Sequence, residues 1–159
     1  MRTPSCRPRS LSDQPSWSRP SSPMANANRL HSPEEAIATI TVLMAQPGVE
    51  ETFVFLLDNT HHGKDVMCVS DAAWPEQVSR IIDVVLGAAR DTWVGGLVMA
   101  SVRPGGPILP DAEDLETWFD LRCRTDELGI DLIDWFLVID DYVVSLAEYT
   151  SSTSLWING

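Results

Sequence analysis

The run VGGLVMAS, Val94 to Ser101, constrains the fold more than any other stretch. It is nearly all apolar, yet it falls well short of the ~18 residues a membrane span needs. A strand of this kind has no solvated side and must be covered on both faces. The sequence supplies the covers. SPEEAIATITVLMAQPG reads as a helix with Ser32 as cap, Pro33 in its first turn, Glu34 and Glu35 at its positive end, and Ala36, Ile37, Ile40, Leu43 and Met44 on one stripe. WPEQVSRIIDVVLGAARD reads as a second, with Val78, Ile81, Ile82, Val85, Ala88 and Ala89 at helical spacing. A third begins at the N-cap Asp111, carries Leu115, Trp118, Phe119 and Leu128, and stops at Gly129.

Strands fall between them. ETFVFLLD reads as a buried strand, Asn59 to Lys64 as a turn, and VMCVS as an antiparallel return. IDLIDWFLVID and YVVSLAEY read as two more strands, joined tightly at Asp140-Asp141. The order is α-β-β-α-β-α-β-β, which predicts one α/β domain: a mixed sheet flanked by helices. Residues 1–30 are expected to be a disordered Ser/Pro/Arg-rich tail, 31–150 the domain, and 151–159 a polar C-terminal tail with Trp156 available to pack back. Translation starting at Met24, with residues 1–23 a mis-assigned extension, stays open.

Charge narrows the partners. Residues 1–23 hold Arg2, Arg7, Arg9 and Arg19 against Asp13, whereas residues 24–159 hold 7 basic and 22 acidic side chains, a net of −15. Such a body repels phosphate backbones, and nucleic-acid binding is disfavoured. Three cysteines, Cys6, Cys68 and Cys123, lack C-x-x-C spacing and support neither a disulfide framework nor a zinc finger. Cys68 and Cys123 are expected to be small core residues. No membrane span is expected, and a reducing, cytoplasmic location is.

ASVRPGGPILPDAEDLETW, Ala100 to Trp118, has the frame of a ligand-presenting loop but no histidine, cysteine or serine in its middle. The chain from about Glu50 to Glu148 resembles the RadC-like branch of the JAB/MPN (JAMM) metalloprotease family, whose layered architecture is cytidine-deaminase-like. The resemblance rests on FVFLLDN, on VMASVRPGGPILPDAEDLETW, on LGIDLIDWFLVID and on YVVSLAEY, in order. In that family the loop reads H-N-H-P-S-G followed by P-S-x-x-D. Two histidines and the aspartate bind zinc, an upstream glutamate is general base, and the serine steadies the transition state. The resemblance puts Ser101 and Arg103 at the histidine positions, Asp111 at the serine, Asp114 at the aspartate, and Glu50 at the base, or Glu51 after a one-residue slip. In the family's D-H pair, Asp134 is kept and Trp135 replaces histidine.

A catalytic zinc needs three protein ligands and an open position. Serine is a poor ligand, and arginine is an obligate cation. Arg103 is therefore expected to replace the metal electrostatically, pairing with Asp114 and with Glu50 as a second candidate. No catalytic residue, metal or other cofactor is expected, the named positions being vestigial. Asp111 and Asp114 are also accounted for as a helix start alone. His61-His62 reads as a solvated turn, Glu50 and Glu51 as solvated charges, and Ser145 and Glu148 as strand-pairing residues. Trp74, Trp93, Trp118 and Trp135 lie near element ends, with core packing as the default and the lining of an interaction groove as the alternative.

Two function classes stay in play. One is a pseudoenzyme: a non-enzymatic module that binds an unidentified protein or small ligand, or self-associates. The other is a zinc-dependent hydrolase, isopeptidase- or peptidase-like, with a weakened or relocated site. A role in DNA repair rests on the RadC name alone, and fold does not fix function.

Overall fold

The computed structural model describes residues 9–10, 32–43, 49–89 and 92–156. In chain order the elements are β1 (Arg9–Ser10), α1 (Pro33–Leu43), β2 (Glu51–Leu57), β3 (Gly63–Ser70), α2 (Pro75–Ala89), β4 (Gly96–Arg103), α3 (Ala112–Glu127), β5 (Asp131–Ile139), β6 (Tyr142–Ser145) and α4 (Leu146–Tyr149). The sheet runs β1-β6-β5-β4-β2-β3. Only β4 and β5 are parallel, joined by α3 as a crossover, and every other pairing is antiparallel.

Every residue of β4 is buried. Leu97 and Met99 face α2 and α3, meeting Val78, Ile82, Val85, Trp118 and Leu121. Val98, Ala100 and Val102 face the other way, toward Ala36, Ile37 and Ile40 of α1 and toward Trp156. Helices therefore cover both faces, which is the mixed, flanked sheet anticipated from VGGLVMAS. Trp156 packs back against Phe136, with ring centroids 6.5 Å apart. Among the described residues, no helix is long and apolar enough to cross a membrane.

Several local expectations need correction. Leu146–Tyr149, read as strand, is a helical turn, because the Ser145 hydroxyl accepts the Glu148 N–H and ends β6. Phe119 and Leu128 are 52% and 44% exposed, so the buried stripe of α3 runs through Trp118 and Leu121 instead. Ala88 is likewise exposed on α2. Cys68 and Cys123 are exposed, Cys68 because β3 is an edge strand with one side toward solvent. Although the residue is exposed, partial shielding of its sulfur, with a hydrogen bond to Glu51 and that carboxylate's charge, pushes the Cys68 thiol up to about 11, which disfavours the thiolate. Arg9–Ser10, expected to be disordered, pairs with β6, since an edge strand accepts any extended backbone. Met44 and the rest of residues 1–31 lie outside the described residues.

Candidate functional site

The carboxyl ends of the parallel strands β4 and β5 meet the starts of α2 and α3, the place where α/β sheets commonly present ligands. Arg103 is the last residue of β4. Beyond it the loop turns through Gly105 and Gly106, whose φ values of 74° and 97° suit a residue without a Cβ. The chain then enters α3 through a capping box: Asp111 accepts from the Asp114 N–H at 2.9 Å, and Asp114 accepts from the Asp111 N–H at 3.1 Å.

That cap points the Asp114 carboxylate at Arg103. Nη2 donates to Oδ1 at 2.8 Å and Nη1 to Oδ2 at 3.1 Å, while Nε donates to the Ala73 carbonyl at 2.8 Å. Both side chains are almost fully enclosed, 4% and 2% exposed. The guanidinium also lies 4.5 Å from the Trp74 ring centroid and 5.8 Å from that of Trp135. Planar, bidentate and stacked, it is held as only an arginine can be. It ties the end of β4 to the link before α2 and to the start of α3.

Ser101, two residues earlier, belongs to a second chain of hydrogen bonds. Trp135 Nε1 donates to Ser101 Oγ at 2.9 Å, Ser101 and Thr52 hydroxyls are 2.8 Å apart, and Thr52 Oγ1 donates to the Ala72 carbonyl at 2.5 Å. Because a carbonyl only accepts and a threonine has one hydroxyl proton, the direction is fixed. Ser101 must donate to Thr52, and its own proton is committed. Thr52 and Ser101 are cross-strand partners in β2 and β4, which is why they meet.

Glu50 does not pair with Arg103. It accepts the Trp74 indole N–H at 2.9 Å, so Trp74 stands between the carboxylate and the guanidinium it covers. Glu51 accepts from Cys68 and takes no part in this cluster. Asp134 is wholly buried behind Trp135 in sequence, accepting from Trp135 N–H at 2.7 Å, Ser145 Oγ at 2.6 Å and Ala147 N–H at 3.1 Å. Burial, only partly offset by these bonds, pushes its carboxyl up to about 6. Ser145 thus pairs with Phe136 in the ladder, as expected, while its hydroxyl also serves Asp134 and the α4 cap.

The remaining sequence candidates lie elsewhere. His61 is buried, not solvated: its Nε2 sits 3.1 Å from Asp131, and it packs beside Gly96 at the opposite end of β4. Gly96 and Arg103 are the first and last of the 8 residues of β4, roughly 23 Å apart at ~3.3 Å per step. His62 is exposed in the turn. Thr52 and the Ala72 and Ala73 carbonyls carry no signal in the sequence, and Trp74 is named there only as a tryptophan near an element end. The signal for Trp74 was there, a tryptophan directly before a helix-starting proline.

A model of the RadC-like JAB domain family matches residues 30–151. The chain belongs to that family. No curated protein matches the chain. In this RadC-like JAB domain the family's zinc would have to sit among Ser101, Arg103 and Asp114. Those residues do not fit it. Both Asp114 oxygens are taken by guanidinium N–H groups, the Ser101 hydroxyl is committed to Thr52, and a cation already fills the centre. Among the described residues, no group of three or more His, Cys, Asp or Glu side chains is placed to hold a metal.

Proposed function

We propose that this RadC-like JAB domain is a catalytically degenerate, non-enzymatic binding or assembly module. The single observation that supports this reading most is the guanidinium of Arg103 holding both oxygens of Asp114. An arginine carries neither a Lewis-acid site nor a bound water to activate, which are what zinc gives a hydrolase. Glu50, the position that the resemblance gives to the general base, accepts the Trp74 indole N–H. The partner that suits the surface is a protein or small ligand able to meet strong negative charge, or a second copy bound through a locally neutral patch. Nucleic acid is disfavoured by the net −15 of residues 24–159, from 7 basic and 22 acidic side chains.

The test is metal content. Elemental analysis after exhaustive dialysis in chelator-free buffer is expected to give zinc far below one per chain. Near-stoichiometric zinc would overturn the reading in favour of a hydrolase with a relocated site. The ligands could not then be Asp114 together with His61, because these occupy opposite ends of β4. A peptidase or isopeptidase assay would follow.

A further inference from the structure

A cavity of about 400 Å³ opens beside the C-terminal half of α3. Its walls are that helix, the start of β5 and residues 152–155. The volume falls within the range of small-molecule sites. The cavity stands apart from Arg103, because α3 rises roughly 18 Å between Asp114 and Asp126 at ~1.5 Å per residue. Phe119, Ile130, Leu132 and Leu155 give it an apolar lining. Ile130 and Leu132 are buried, while Phe119 is 52% exposed. A phenyl ring standing in water beside a cavity is apolar surface that a ligand can cover.

Three charged side chains also line the cavity: Arg122, Asp126 and Asp131. Arg122 is already engaged. Its guanidinium lies 5.1 Å from the Trp118 ring centroid, and Nη2 donates to the Thr153 carbonyl at 3.4 Å. Asp131 Oδ2 is 3.1 Å from His61 Nε2. His61 Nδ1 is buried and has no partner among the described residues, so in the neutral ring the proton sits on Nε2 and is donated to Asp131. Asp131 then keeps its negative charge. The Asp126 carboxylate has no hydrogen-bond or ion-pair partner among the described residues. The C-terminus of α3 adds partial negative charge of its own. Arg124, the basic residue of the last turn, is turned away to Asp83, Ser79 and Asp120. The local field thus favours a cation that the chain does not itself supply.

We propose that this cavity binds a small organic cation: an ammonium or guanidinium group carried on an aromatic or branched apolar body. The apolar body lies against Phe119, Ile130, Leu132 and Leu155, and the cation meets Asp126 and Asp131. Because the cavity is at the other end of α3 from Asp114, this inference stands or falls apart from the fate of the zinc centre.

The test uses the full-length protein and three probes, with binding read from amide chemical shifts. Phenethylammonium, 2-phenylethanol and 3-phenylpropanoate share a ring and a short chain and differ in charge. Phenethylammonium should shift the amides of Cys123, Asp126 and Leu132 saturably, and bind at least about tenfold more tightly than the neutral and anionic probes. Asp126→Asn should weaken it about fivefold and leave 2-phenylethanol unchanged. Phe119→Ala should weaken both. Asp126 and Phe119 are exposed, so neither change threatens the fold. Glu127→Gln, at an exposed carboxylate outside the lining, should leave every affinity unchanged. No saturable shift with phenethylammonium up to about 10 mM would overturn the proposal. So would equal affinity for the three probes. A loss in Glu127→Gln matching that in Asp126→Asn would overturn it too, by assigning the attraction to the acidic surface at large.

Discussion

Asp114 and Asp134 are both buried, and each accepts three hydrogen bonds. Asp114 takes two from Arg103 and one from the Asp111 N–H. Asp134 takes one each from the Trp135 and Ala147 amides and one from Ser145. The count is equal and the charge is not. Asp114 has a full countercharge on its oxygens. Asp134 has only neutral dipoles, with Glu148 adding repulsion, and burial drives its carboxyl up to about 6. Three neutral donors do not offset the desolvation of a carboxylate, while a fork of guanidinium N–H groups is suited to do so. The end of β4 is therefore built around an ion pair, and the start of α4 around a carboxyl that has no countercharge.

The strongest way to break this comparison is Arg103→Glu. It leaves Asp114 buried with only the Asp111 N–H and no countercharge, and adds a second negative charge beside it. Removing one member of a buried pair costs about 3–5 kcal/mol, a large part of the ~5–15 kcal/mol that holds a domain together. Urea denaturation should show the midpoint collapsing toward zero. An unchanged melting temperature would mean that Arg103 points to solvent.

Asp134 gives the next largest effect, with a distinctive sign. Its folded pKa lies above the ordinary value of 3.8. Below pH ~4 the carboxyl is neutral in both the folded and unfolded states, and its ionisation costs the fold nothing. As pH rises from about 4 to about 6, the unfolded chain ionises first and folding loses stability. Above pH ~6 the loss is complete and flat. The rise from 3.8 to about 6 corresponds to roughly 3 kcal/mol. The stability difference between the native protein and Asp134→Asn should follow that curve. A difference that does not vary between pH 4 and pH 7 would show that Asp134 is solvated.

Arg103→Lys sharpens the other half of the comparison. Lysine keeps the charge but cannot fork onto Asp114, donate to Ala73 and stack between two indoles at once. A loss of about 2 kcal/mol is expected, well short of the charge reversal. If lysine were as stable as arginine, the countercharge alone would suffice and the geometry would be incidental.

These two aspartates were not equally legible from sequence. The pairing of Arg103 with Asp114 could be anticipated, because a cation at a former ligand position and an aspartate at a helix start leave few alternatives. The layered fold was legible too, since helical stripes such as Val78, Ile82 and Val85 and the all-apolar run of β4 each announce their period. Long-range polar contacts were not. Nothing local in Thr52 says that its hydroxyl meets Ser101 in another strand, and nothing local in His61 says that a turn buries it against Asp131. Leu146–Tyr149 read as strand because its four residues carry no periodicity of their own. Its helical turn is set by Ser145 and by Asp134 in the neighbouring strand. Cys68 looked like core because strand periodicity reveals alternation but not which strand lies at the edge.

Trp74 supplies the smallest effect and the finest test of how the guanidinium is enclosed. It is 39% exposed, stacks on Arg103 and donates to Glu50. A cation over a partly exposed ring contributes about 0.5–1 kcal/mol. Trp74→Ala should therefore cost about 1 kcal/mol, while Trp74→Phe, which keeps a ring face and drops the indole N–H, should cost less. The two contacts are separated by a double-mutant cycle with Arg103→Lys. Stacking predicts that the Trp74→Ala loss shrinks when Arg103 is already lysine, because the planar partner is gone. Strict additivity would mean that Trp74 is held by Glu50 alone and merely lies near the guanidinium. The enclosure of Arg103 would then be the work of Trp135 and the protein interior, and the outer face of Trp74 would be free to turn toward a partner.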